Sequence, residues 1–90
     1  MPIVVKQTNP ATFEVSVDGP TPTTHTVTVA VDYAARLSGG ELTTAELVER
    51  SFQFLLEREP NTSILRSFEL SVIQQYFPEF EKTISEGINH

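Results

Sequence analysis

Apolar and polar residues alternate in two stretches near the N-terminus. In Thr12–Asp18, Phe13, Val15 and Val17 alternate with Glu14, Ser16 and Asp18. Successive side chains of a strand point to opposite faces, so this period of two predicts a strand with one buried face. His25–Val31 repeats the pattern, with Val27, Val29 and Val31 set against Thr26, Thr28 and Ala30. Gly19, Pro20 and Pro22 break the chain between the two runs, so Gly19–Thr24 is predicted as the loop of an antiparallel β-hairpin. A loop longer than two residues leaves the strand register open. Ile3–Val5 is a candidate third, short strand, and residues 1–10 are otherwise a flexible lead-in.

Beyond Val31 the period changes to that of helices. Asp32 is placed to cap a short helix through Leu37, which Gly39 and Gly40 end because glycine takes the left-handed C-cap conformation without steric cost. Thr43-Thr44-Ala45-Glu46 has the spacing of a capping box, in which the threonine and glutamate side chains each satisfy a main-chain N–H of the helix start. Ala45, Val48, Phe52 and Leu55 follow at helical spacing, and Leu47, Phe54 and Leu56 widen the stripe. So wide an apolar face implies burial on more than one side. Each large side chain buried contributes about 1.5–3 kcal/mol, so this helix is expected to anchor the core. Pro60 stops it, with Glu59 pushed out of helical conformation by the following ring. Ser63 is then read as the cap of a short helix holding Ile64, Leu65 and Phe68. Ser71 is read as the cap of another carrying Val72, Ile73, Tyr76 and Phe77. Pro78 either ends that helix or sits in the first turn of the next, in which Phe80 and Ile84 continue the apolar positions and Gly87 marks fraying.

Composition narrows the function classes. The 90 residues suit one small domain, 1–90, with a modest core. The net charge is −6, and the acidity is concentrated in the second half, where residues 41–60 carry −3 and 61–90 carry −2. Lys6, Arg36, Arg50, Arg58, Arg66 and Lys82 are dispersed along the chain. Nucleic-acid affinity depends on clustered cations that neutralise phosphates, as does attraction to anionic membranes, so neither partner is favoured. There is no cysteine, which excludes disulfides, thiol chemistry and cysteine-ligated zinc. Neither a signal-peptide core nor an apolar run of membrane-spanning length is present, and a cytoplasmic location is the expectation.

Candidate chemistry is sparse. His25 and His90 are the only histidines; His25 is expected as a half-exposed strand residue, because a general base needs an oriented nucleophile or carboxylate that the sequence does not name. No serine lies in a Gly-x-Ser-x-Gly setting, and Gly39-Gly40 lacks the spacing and the Lys-Ser/Thr of a phosphate loop. Glu46, Glu49, Glu57 and Glu59 read as a solvated helix face, with Glu46 and Arg50 at the favourable i,i+4 spacing. Glu79 and Glu81 suit the positive end of a helix start. The expectation is therefore no catalytic, cofactor-binding or metal site.

Three resemblances add to this reading. Thr26-Val27-Thr28-Val29, the short helix with Arg36 and Leu37, the glycine turn and Thr43-Thr44-Ala45-Glu46-Leu47-Val48 resemble ribbon-helix-helix repressors over Thr26–Leu56. That likeness implies dimerisation through the strand, with Thr26 and Thr28 facing the major groove. Ile64–Phe77 is similar in outline to a helix-turn-helix, whose second helix would place Gln74 and Gln75 to read adenine edges. The run Arg58-Glu59-Pro60, Ser63-Ile64-Leu65-Arg66, Phe68, Leu70, Val72-Ile73 and Tyr76-Phe77-Pro78-Glu79-Phe80-Glu81 resembles a family of short bacterial proteins without known activity. That resemblance would cover most of the chain from Phe13 onward and implies a cytosolic bacterial protein.

The sequence thus predicts an α+β domain, with an N-terminal antiparallel hairpin or small sheet packed against three to four C-terminal helices. A non-catalytic protein–protein interaction or oligomerisation module, as a homodimer or an accessory subunit, is the leading expectation. A DNA-binding regulator is the alternative. Phe54, Tyr76, Phe77 and Phe80 are the candidate partner surface, because the helical half holds more aromatic positions than one small sheet covers.

Overall fold

The two alternating segments form the centre of a four-stranded sheet. The computed structural model describes residues 2–88; His90 lies outside them. The strands are β1 (Ile3–Asn9), β2 (Thr12–Val17), β3 (Thr23–Thr28) and β4 (Ser67–Glu69), in spatial order β1-β2-β3-β4. The helices are α1 (Val31–Ser38), α2 (Thr44–Leu56), α3 (Val72–Tyr76) and α4 (Phe80–Ile88), with a single 3-10 turn at Asn61–Ser63. The fold is α+β, as the sequence predicts.

Phe13 pairs with Val27, Val15 with His25 and Val17 with Thr23, which settles the hairpin register. The candidate third strand is longer than predicted: β1 runs antiparallel to β2, with a register shift between Gln7 and Asn9. A tight turn joins them, in which Asn9 Oδ1 accepts from the Ala11 N–H at 3.0 Å. One sheet face, carrying Phe13, Val15, Val17, His25 and Val27, is buried, and the other, carrying Val4, Lys6, Glu14, Thr24, Thr26 and Thr28, is exposed. Helix α2 packs against β1 and β2, while α1 contacts α2 and α4.

The alternation ends earlier than the sequence suggests. Val31, expected in phase with Val27 and Val29, is 71% exposed because it opens α1, where the period is no longer two. Helix α1 also starts one residue before the predicted cap: Ala30 is the N-cap and makes no side-chain bond, and Asp32 sits in the first turn. There its carboxylate suits the helix dipole and accepts from the Tyr33 N–H at 3.1 Å. Gly39, at φ 61°, ends the helix in the left-handed region.

Helix α2 begins with the predicted capping box: Thr43 Oγ1 accepts from the Glu46 N–H at 3.1 Å, and Glu46 Oε1 from the Thr43 N–H at 3.0 Å. Leu47, Val48, Phe52, Phe54 and Leu55 are all buried, so the broad stripe does face the core on more than one side. At its C-terminal end Arg58 Nη1 donates to the Phe54 carbonyl at 3.1 Å while the guanidinium lies 3.6 Å from the Phe54 ring centroid.

The predicted helix over Ser63–Phe68 is not formed. The chain makes the 3-10 turn, then extends into β4, which lies parallel to β3 with Thr26, Val27 and Thr28 opposite Ser67, Phe68 and Glu69. The cause is non-local. Without β4 the second edge of β3 would leave main-chain groups unpaired, and buried groups of that kind are costly. Ser71 likewise gives α3 no side-chain cap. Gln74 instead spans the turn around Pro78 and caps α4, its Oε1 accepting from the Glu81 N–H at 2.9 Å.

Candidate functional site

The four aromatic residues expected at a partner surface divide into two pairs. Phe54 and Phe80 are core residues, 4% and 0% exposed, packed edge to face with centroids 5.2 Å apart. Both belong to the interior because α4 folds back over α2 and closes on them, which corrects their assignment to the surface. Tyr76 is 66% exposed and Phe77 is half-buried against Phe54 at 5.9 Å. These two line a groove of about 240 Å³ together with Leu55, Glu59, Ser63, Ile64, Leu65, Phe68, Val72 and Ile73.

Each part of the groove follows from the local fold. Helix α2 ends at Leu56, and the Glu57–Pro60 segment leads away from it and brings Glu59 to the lining. The extended segment before β4 supplies Ile64, which turns into the core, and Leu65, which is 48% exposed. Short α3 carries Val72 and Tyr76 at i,i+4 spacing, so both project to one side. Sequence reasoning missed Leu65 and Phe68, assigned to a helix that does not form, and Glu59, read as part of a solvated face. Glu59 is half-buried, and loss of solvent raises its carboxyl above the ordinary carboxylate range.

A second polar feature lies close by in the core. His25, expected half-exposed, is fully buried, because it shares the inward phase of Val27 and Val29. Nδ1 lies 2.8 Å from the Leu65 carbonyl oxygen, and Nε2 lies 2.8 Å from Thr23 Oγ1. Asn61 Nδ2 donates to that same Oγ1 at 2.9 Å and to the Thr21 carbonyl at 2.8 Å. The imidazole also packs on Phe52, centroids 5.4 Å apart. Both ring nitrogens are thus engaged by a hydroxyl and a main-chain carbonyl, neither of them a carboxylate. The network ties the β2–β3 loop and β3 to the segment that forms one side of the groove.

Other singled-out residues have local roles. Thr26 and Thr28 are exposed on the open sheet face, and β3 is paired on both edges, by β2 and β4. Gln74 is committed to the α3–α4 turn, its Nε2 donating to the Pro78 carbonyl. Among the described residues no group of three or more His, Asp or Glu side chains is placed to hold a metal ion. No helix among them is long and apolar enough to cross a membrane. Comparison with protein-family models, with curated proteins and with solved structures returned no match.

Proposed function

We propose that this chain is a non-catalytic interaction module, a cytoplasmic accessory subunit that docks a partner protein in the groove between the end of α2, the Ser63–Phe68 segment and α3. The observation that carries the reading is the exposure of two large side chains, Tyr76 at 66% and Leu65 at 48%, on the lining of one apolar groove. Single exposed apolar residues are ordinary on any protein, but a cluster around a concavity marks a surface that is covered in use. Tyrosine suits such a place, since it offers a large rigid contact area and a polar tip.

Self-association through the same groove is the other form this module can take. Charge weighs against it: the chain carries −6, most of it in the helical half that forms the groove, and two copies meeting there bring like charges together. Site-specific photo-crosslinking in cells tests the reading. A crosslinker at Tyr76 is expected to capture a protein that one at Thr26, on the open sheet face, does not. Capture at Thr26 with none at Tyr76 would overturn the proposal. The mass of the adduct and sedimentation of the purified chain distinguish a second copy from another protein.

A further inference from the structure

Among the groove residues Glu59 is the charged one, and no cation among the described residues answers it. Among the described residues the salt bridges join Arg58 to Glu57 and Lys82 to Glu86, and no Lys or Arg lies within 4.0 Å of the Glu59 carboxylate. The neighbouring cation is committed elsewhere, since Arg58 stacks on the Phe54 ring at 3.6 Å and bonds the Phe54 carbonyl at 3.1 Å. Glu59 therefore sits half-buried beside Leu55, Leu65 and Tyr76, with the solvent loss that burial brings and no compensating charge.

We infer that the groove takes an apolar segment of a partner protein bearing a lysine or arginine, whose cation pairs with the Glu59 carboxylate while its apolar side chains pack on Leu65, Phe68 and Tyr76. This rests on the docking reading above and names the chemistry of the partner. A cation brought over Glu59 meets a carboxylate already partly stripped of water, so part of the desolvation cost falls on folding and not on binding. The raised proton affinity of Glu59, caused by burial, agrees with a carboxylate lacking a counter-charge. The same charge supplies selectivity, because an acidic segment of equal apolarity would be repelled. A second copy of this chain fits less well, since its acidic helical half would approach Glu59 with the wrong sign.

The test is selection of a randomised peptide library displayed on phage against the intact chain, followed by affinity measurements on synthetic versions of the enriched peptides. Enriched peptides are expected to place Lys or Arg within an apolar run. Replacing that cation by Gln should weaken binding to the wild-type chain about tenfold, and by less than about twofold in Glu59→Gln, the difference expected of a close, partly desolvated charge pair. Leu65→Ser, at an exposed position and with the fold checked by circular dichroism, removes apolar contact without adding charge and should weaken binding about tenfold. Peptides that Leu65→Ser weakens but that show no cation preference, or the same preference in Glu59→Gln, would overturn the inference and leave the docking reading standing. Absence of enrichment, or a dimer formed through the groove, would overturn the inference in the same way. Peptides bound equally by Leu65→Ser would sink both.

Discussion

His25 Nδ1 lies 2.8 Å from the main-chain carbonyl of Leu65, forty residues further along the chain. A carbonyl oxygen only accepts, so Nδ1 carries the ring proton of this bond. Nε2 can then accept from the Thr23 hydroxyl at 2.8 Å, whose oxygen in turn accepts from Asn61 Nδ2 at 2.9 Å. The bonds from Asn61 through Thr23 and His25 to the Leu65 carbonyl thus all run in the same direction, and the second Asn61 Nδ2 hydrogen goes to the Thr21 carbonyl. Long-range proton–nitrogen NMR correlations are expected to show His25 as the Nδ1-protonated tautomer, and an Nε2-protonated ring would break the proposed order.

Removing the Asn61 amide tests how far these bonds act as a unit. Asn61→Ala leaves the Thr21 carbonyl and the Thr23 hydroxyl without their donor in a part-buried site beside the buried His25, and should destabilise the fold by about 1–3 kcal/mol. Thr23→Val, of similar shape, should cost a comparable amount. Combined, the two should show a coupling of about 0.5–3 kcal/mol in urea unfolding, as contacting members of one network do. Strict additivity would mean that the bonds act separately.

The contrast between these bonds and the helix caps explains what the sequence makes legible. The capping box of α2 lies within four consecutive residues, so residue type and spacing are enough to recognise it. The existence of β4 depends on the free edge of β3, about forty residues away, and Ile64, Leu65 and Phe68 at spacings of one and three satisfy a helical pattern locally. Tertiary pairing wins there over local preference. His25 shows a subtler case, since its phase with Val27 and Val29 is visible in the sequence while its satisfying partners, Asn61 and the Leu65 carbonyl, are not. The aromatic set fails for a related reason: helical spacing shows which residues share a face but not which faces another helix will cover. Phe54 and Phe80 are covered by each other, and Tyr76 is not.

That division gives a direct stability comparison. Phe54→Ala removes a buried ring that contacts Phe77, Phe80 and the Arg58 guanidinium, and should cost about 3–5 kcal/mol. Tyr76→Ala, at an exposed position, should change stability by no more than about 0.5–1 kcal/mol. Chemical denaturation of both variants checks the pair. Equal costs would place Tyr76 in the core and remove the case for an exposed docking surface.

Helix α2 should respond to loss of its cap. Thr43→Ala removes the acceptor of the Glu46 N–H and is expected to lower stability by about 1 kcal/mol. The Glu46 carboxyl is held below its ordinary value, first by its bond from the Thr43 N–H and then by the Thr43 side chain. A lowered folded-state value means that the unfolded chain binds the proton more readily. The contribution is therefore fully present above about pH 4.5 and is lost as the pH falls through the folded-state value. The stability difference between the wild-type chain and Glu46→Gln should shrink on acidification across that window, and a difference that does not change with pH would show that the box is not made in solution.

Tyr33 joins α1 to α4 and titrates at the other end of the scale. Its hydroxyl donates to Glu81 Oε2 at 3.1 Å, and its ring lies under Arg36 at 5.3 Å. Burial chiefly, with the bond to Glu81 and that carboxylate's charge added, raises the phenol well above its ordinary value of 10.0. The neutral phenol is thus the form the fold prefers, and above about pH 10 the unfolded chain loses this proton first. With fewer protons bound in the unfolded state, stability falls as pH rises from there toward the folded-state value. Tyr33→Phe keeps the ring and removes the ionisation, so it should lose the Glu81 bond at neutral pH yet decline less steeply in alkali. Urea unfolding of both chains through that alkaline range measures the difference in slope, which isolates Tyr33 because the other titrating groups are shared. Parallel curves would mean that Tyr33 ionises freely and that its bond to Glu81 does not hold α1 against α4.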